Sequence, residues 1–151
     1  MRSVPFTSEF PTQLGSIITD CKISDAYDEQ VSVNELHPEF TPFKAIWDTG
    51  AMRSSISTAV VEKLGISPLG FARVFHADGE SMQQVYVVNV LLPNNMEVKT
   101  VTVTEAKMTD IDVLIGMDII SLCDFALTSS GGKTKFSFQI PSSVDIDFTK
   151  L

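Results

Sequence analysis

The sequence predicts an all-β, single-domain protein with one or two short helices, and three observations lead there. Short runs rich in β-branched residues recur along the chain, punctuated by proline, glycine and asparagine. An Asp-Gly pair, Asp78-Gly79, stands between two such runs, which is the strongest short-range signal for a tight β-hairpin. A length of 151 residues, 44% hydrophobic and 20% charged, suits one core rather than two.

The elements follow in order. Residues 17–23 are β-branched and roughly alternating, and Val31-Ser32-Val33 follows a polar stretch, so the two read as a first hairpin. Pro38 and Pro42 bracket a loop, and residues 43–47 form the strand that leads into Asp48-Thr49-Gly50. A helix is expected next. Ser54, Ser55 or Ser57 can cap its free amides, Ala59, Val60 and Leu64 supply apolar contacts, and Gly65 suits the left-handed residue that ends a helix. Residues 71–76 and 83–90 flank Ala77-Asp78-Gly79-Glu80 as a long projecting ribbon. Pro93-Asn94-Asn95 turns the chain; the apolar positions Met96, Val98, Val101 and Val103 then change phase between 98 and 101, which calls for a bulge or a move between sheets. Val113-Leu114-Ile115 is a wholly apolar strand of the kind buried on both faces, and residues 118–123 read as a short helix. Phe136, Phe138 and Ile140 alternate with Ser137 and Gln139 in a last strand, which Pro141 ends. The expected domain spans 14–141, with 1–13 and 142–151 as terminal extensions.

Composition removes several classes of function. A net charge of −8 repels a polyanion on average, so nucleic acid is not an expected partner. The longest apolar runs fall far short of the ~20 residues that a membrane-spanning helix needs. The N-terminus has one basic residue and no apolar run after it, so no secretion signal is expected and the cytoplasm is the expected location. Cys21 and Cys123 lie 102 positions apart, without the close spacing of zinc or redox sites, and read as buried thiols in a reducing compartment. His37 and His76 lack ligand spacing, and Asp110, Asp112 and Asp118 are too irregular for a calcium loop. Asp110 and Asp112 read as solvated, and Asp118 as part of the turn or helix start after Gly116. Gly131-Gly132-Lys133-Thr134 looks like the end of a phosphate-binding loop, but its first glycine would fall on Leu127 and a strand follows, so it reads as a hairpin turn. No metal and no cofactor are expected.

The sharpest chemical feature is Ala45-Ile46-Trp47-Asp48-Thr49-Gly50-Ala51. It places a carboxylate where a buried strand becomes a turn, beside a hydroxyl and a residue without Cβ. A carboxylate there is costly unless it is paired or used. The plainer reading is a β-turn with Asp48 exposed and Gly50 supplying backbone freedom.

Two further elements follow in order: the Asp-Gly hairpin, and an apolar run whose Gly116 lies 68 positions after Asp48. With Ile46-Trp47-Asp48-Thr49-Gly50-Ala51, the segment from Ser57 to Gly65, the ribbon around Asp78-Gly79, and Leu114-Ile115-Gly116-Met117-Asp118, residues 15–140 resemble the retropepsin-like aspartic proteases. That family has a strand ending in D-T-G-A, a short helix, a flap hairpin, and a second apolar-apolar-Gly segment entering a helix. The resemblance implies a retropepsin-like acid protease barrel, homodimeric, acting as an aspartic endopeptidase on a peptide or protein substrate. Such chemistry needs two carboxyl groups sharing one proton around a water. The chain holds a single Asp-Thr-Gly and no Asp-Ser-Gly, so the second carboxylate is expected from a second copy across a two-fold axis.

By resemblance, Asp48 of each subunit forms the dyad, Thr49 locks the two loops together and Gly50 allows close backbone approach. Ala51 stands where pepsin-like enzymes commonly carry a hydroxyl that stabilises the ionised carboxylate, so activity is expected from mildly acidic toward neutral pH. Val74, Phe75, His76, Ala77, Asp78, Gly79 and Glu80 would form the flap over an extended peptide, the duller reading being an ordinary exposed hairpin. The tip is polar, a departure from the glycine-rich flaps of many viral relatives. Val113 and Ile115 are candidates for pocket walls, with core packing as the equal alternative. Two other functions stand beside the protease: a catalytically silent retropepsin-like dimerisation or peptide-binding module, and an acidic β-rich binding domain unrelated to proteases.

Overall fold

The computed structural model describes residues 2–27 and 38–151. In chain order the strands are β1 (Val4–Phe10), β2 (Ile18–Asp25), β3 (Thr41–Trp47), β4 (Ser55–Ser57), β5 (Gly70–His76), β6 (Gly79–Leu91), β7 (Glu97–Ala106), β8 (Val113–Ile115), β9 (Asp124–Thr128) and β10 (Thr134–Ile140). Two short helices, α1 (Thr58–Leu64) and α2 (Met117–Ile120), interrupt them.

Alternation of apolar and polar residues lets β2 pair antiparallel with β3, Cys21 opposite Phe43, with one face packed inward. The sheet continues through β8, β4, β7 and β6, and β6 pairs back onto β2, Ile23 opposite Val90. These six strands close on themselves as a barrel, which leaves β5 as an outer strand held by β6 alone. The pairs β3–β8 and β4–β7 are parallel; the others are antiparallel. Inside sit Ile23, Ala45, Ile56, Val60, Val88, Val103, Val113 and Ile115, all nearly inaccessible to solvent. A second sheet, β1-β10-β9, packs Phe136, Phe138 and Ile140 into the same core. It is fastened by Trp47, whose ring lies 5.0 Å from both Phe136 and Phe138 while its Nε1 donates to Thr19 Oγ1.

The expected helix is present, and Ser57 is the serine that caps it: its Oγ accepts from the Val60 amide. Gly65 ends it with φ of 63°. Ser55 and Ser57, read in the sequence as caps, also lie in β4, because β8 and β7 offer pairing on either side. The expected bulge lies between β6 and β7. Two residues, Lys99 and Thr100, stand opposite Asn89, and the Asn89 side chain accepts from the Thr100 amide at 2.8 Å. The ribbon is present as β5–β6, closed by His76 opposite Gly79, so Ala77 and Asp78 form its turn and Gly79 takes the positive φ. The double-glycine segment joins β9 to β10, as the hairpin reading expects. Val31-Ser32-Val33 and His37 lie outside the described residues.

Residues 4–10, which lie in the N-terminal extension drawn from sequence, pair along their whole length with β10, Val4 opposite Ile140. Cys21 is buried and Cys123 half-buried, and both are free thiols. Burial pushes the Cys21 thiol up to about 12 and the Cys123 thiol to about 11, so neither is a ready nucleophile. Among the described residues, no helix is long and apolar enough to cross a membrane.

The chain end is gathered by Asp124. Its carboxylate accepts from Gln139 Nε2, Ser142 Oγ and the amides of Ser143 and Val144. Those bonds, that of Gln139 foremost, hold the carboxyl well below the usual carboxylate range. A carboxyl whose folded pKa is depressed contributes fully above its unfolded value of about 4 and loses that contribution as pH falls toward the folded one. The Ser143 and Val144 amide signals in NMR spectra are therefore expected to hold steady from neutral pH to about 4 and to move only below it. Release of this segment near pH 6 would contradict the assignment.

Candidate active site

Asp48 follows β3 directly, and its position is set by backbone bonds on both sides. The Trp47 amide donates to Ile17 O at 3.0 Å and the Asp48 amide to Ile115 O at 2.9 Å. The Ala51 amide closes a turn onto Asp48 O at 3.3 Å, while the Gly50 amide donates to Asp48 Oδ1 at 2.8 Å. The plainer sequence reading, a β-turn, thus describes the backbone. Asp48 as a residue is half-buried, and its carboxylate is folded back over the turn onto the Gly50 amide. Thr49 is exposed, and among the described residues its hydroxyl has no hydrogen-bond partner. No second carboxyl group hydrogen-bonds to Asp48 among the described residues.

A network absent from the sequence reading holds this loop from behind. Ser54, almost fully buried, gives its amide and its hydroxyl to the two oxygens of Asp118, at 2.9 and 2.7 Å. Its Oγ accepts from the Gly116 amide at 3.0 Å, and the Met117 amide donates to Ala51 O at 2.8 Å. Asp118 also accepts from the Ile119 amide, so one carboxylate ties the start of α2 to the end of the Asp48 loop. Asp118 does stand at a helix start, as expected, and there it acts as a structural acceptor. Gly116 passes so close to the loop that a Cβ there would lie 2.7 Å from the Arg53 carbonyl carbon and oxygen.

The pairing register shows which side chains share the face of Asp48. Ile46 lies opposite Leu114, Leu114 opposite Ser55, and Ser55 opposite Thr104, and all four are half-buried. Paired residues point to one side of a sheet, and Asp48 leaves β3 two positions beyond Ile46, on that same side. Val113 and Ile115 point the other way. They are 1% and 0% exposed and belong to the core, the packing alternative that the sequence left open. Leu114, between them, is the residue of β8 that faces the Asp48 side. The flap candidates lie where β5 turns into β6: Phe75 is 76% exposed, Ala77, Asp78 and Gly79 are exposed, and His76 pairs with Gly79. Asp110 is exposed and Asp112 half-buried, and the latter's Oδ2 accepts from the Lys44 amide. Among the described residues, no group of three or more metal-binding side chains exists.

The family model described as "gag-polyprotein putative aspartyl protease" matches residues 30–121, more than half of the chain. The chain belongs to that aspartyl protease family. Solved folds agree. A retropepsin-like aspartic protease from Rickettsia conorii superposes with a TM-score of 0.60 over 92% of this chain and 96% of that one, at 14% identity. The EIAV protease, complexed with the inhibitor HBY-793, superposes with a TM-score of 0.52 over 70% of this chain and 86% of that one, at 19% identity. At these identities the likeness is one of fold, and it makes this family member a retropepsin-like barrel. No curated protein matches the sequence.

Proposed function

We propose that this member of the aspartyl protease family is an active endopeptidase that works as a homodimer, with Asp48 of each copy facing the other across a two-fold axis. One observation carries the reading. Each chain supplies one half-buried Asp48 on a loop braced by Gly116, Ser54 and Asp118, beside an exposed Thr49 whose hydroxyl has no partner among the described residues. Two such loops brought together place like charges about 3 Å apart, which cannot both ionise, so the pair holds one proton between them. The ionised member takes a proton from water, and the water attacks the peptide carbonyl carbon. The protonated member gives its proton to the carbonyl oxygen.

Thr49 is the hydrogen-bonding group between the two loops, and Gly50 and Ala51 let the backbone and substrate approach. Phe75, His76, Ala77, Asp78 and Gly79 form a flap that closes over an extended peptide and excludes bulk water. The protease domain is read as 14–141, with the terminal extensions contributing to the assembly through β1 and the segment after Pro141. The silent-module reading is weaker because Asp48-Thr49-Gly50 is intact and its brace complete.

Digestion of a mixed peptide pool by the purified chain tests this. Cleavage is expected from mildly acidic toward neutral pH and should fade on dilution as dimers separate. No cleavage at any pH, or an optimum confined below about pH 3, where both members of such dyads tend to be protonated, would refute the reading.

A further inference from the structure

A cavity of about 720 Å³ opens beside the β5–β6 hairpin; Val74, Met82 and Ala106 give it apolar wall, and most of its other lining residues carry hydrogen-bonding side chains. Its floor is Ser55 and Thr104, next in the paired row that runs from Ile46 through Leu114. The two hydroxyls lie 3.0 Å apart. Either can donate to the other, which uses one of their two protons and leaves the second to point outward. Gln83 lines the same cavity from β6, and among the described residues its amide makes no hydrogen bond. Charges stand in compensation, Glu105 against Lys107. Glu105 is already engaged on both oxygens, by Tyr86 at 3.0 Å and Thr58 at 2.8 Å. Ser55 is two strand spacings from Ile46, about 10 Å, which an extended peptide passing Asp48 covers within a few residues.

We infer that this cavity is a side-chain subsite selecting a neutral, hydrogen-bonding residue of the substrate, asparagine or glutamine, with Ser55, Thr104 and Gln83 as its specificity-determining residues. The inference rests on the protease reading above. An amide side chain supplies both a donor and an acceptor to match the Gln83 amide, which has no partner among the described residues, and the hydroxyl proton that the Ser55–Thr104 bond does not use. An aliphatic side chain of the same size would pack against Val74 and Met82 but strip water from those polar groups without replacing the hydrogen bonds, and sites built to hydrogen-bond reject isosteres for that reason. A fully charged side chain finds both signs already present.

The test uses the purified full chain and a peptide library randomised on both sides of a fixed apolar pair, with cleavage sites read by mass spectrometry. Asparagine and glutamine are expected to exceed leucine and valine by about tenfold at one position near the cleaved bond. In Thr104→Val and Ser55→Ala variants, the ratio of asparagine to leucine at that position is expected to fall toward one, while ratios at other positions hold. Cleavage by the wild type with leucine or valine preferred at every position overturns the subsite and leaves the protease reading standing. So does an asparagine preference that both variants keep. Absence of any cleavage by the wild type overturns the protease reading, and the subsite falls with it.

Discussion

Asp48→Asn is expected to reduce peptide cleavage by about 10³-fold or more while the barrel stays folded. In a homodimer a single substitution removes both carboxyl groups, so neither base nor acid remains to handle the water's proton. The fold has little reason to change. Among the described residues Asp48 Oδ1 accepts only the Gly50 amide, and an asparagine oxygen can accept it equally well. Unfolding by urea should therefore differ by no more than about 0.5 kcal/mol from wild type. Cleavage within tenfold of wild type would exclude Asp48 from the chemistry, however well the fold matches its neighbours.

Gly116→Ala is expected to destabilise the chain by about 3 kcal/mol and to abolish cleavage with it. The added Cβ would stand 2.7 Å from the Arg53 carbonyl carbon and oxygen and 2.9 Å from Ala51 O. All three are backbone atoms, so no side chain can swing aside. Residues 51–53 must move, and they carry the Asp48 turn through the bond from Met117 to Ala51 O. Gly116 has φ of −98°, so the cost comes from close approach and not from a left-handed backbone. Urea denaturation and a cleavage assay on the same preparation read both effects; unchanged stability would show that the two loops are free to separate.

Much of this was legible in the sequence because it is local. Alternation marks β2 and β10, Asp78-Gly79 marks the β5–β6 hairpin, and the phase change between Val98 and Val101 marks the bulge opposite Asn89. What escaped depends on distant partners. β4 is three residues long and serine-rich, and it is a strand only because β7 and β8 pair with it. β1 contains Pro5, which reads against a strand, yet it lies at the edge of its sheet where proline is tolerated. The face of β8 was hidden because all three of its residues are apolar. Only pairing with Ile46 and Ser55 turns Leu114 toward Asp48 and leaves Val113 and Ile115 to the core. The brace between Ser54 and Asp118 spans 64 positions and has no local signature.

That two chains share one catalytic site is tested most directly by mixing. Wild-type and Asp48→Asn chains, combined in equal amounts and given time to exchange subunits at constant total concentration, form a statistical set of dimers. If each chain supplies one carboxyl of the pair, only the wild-type pairs cut peptide, and the rate falls to about a quarter of the all-wild-type value. A rate of about one half, in simple proportion to the wild-type fraction, would mean that each chain works alone, and would contradict the shared site.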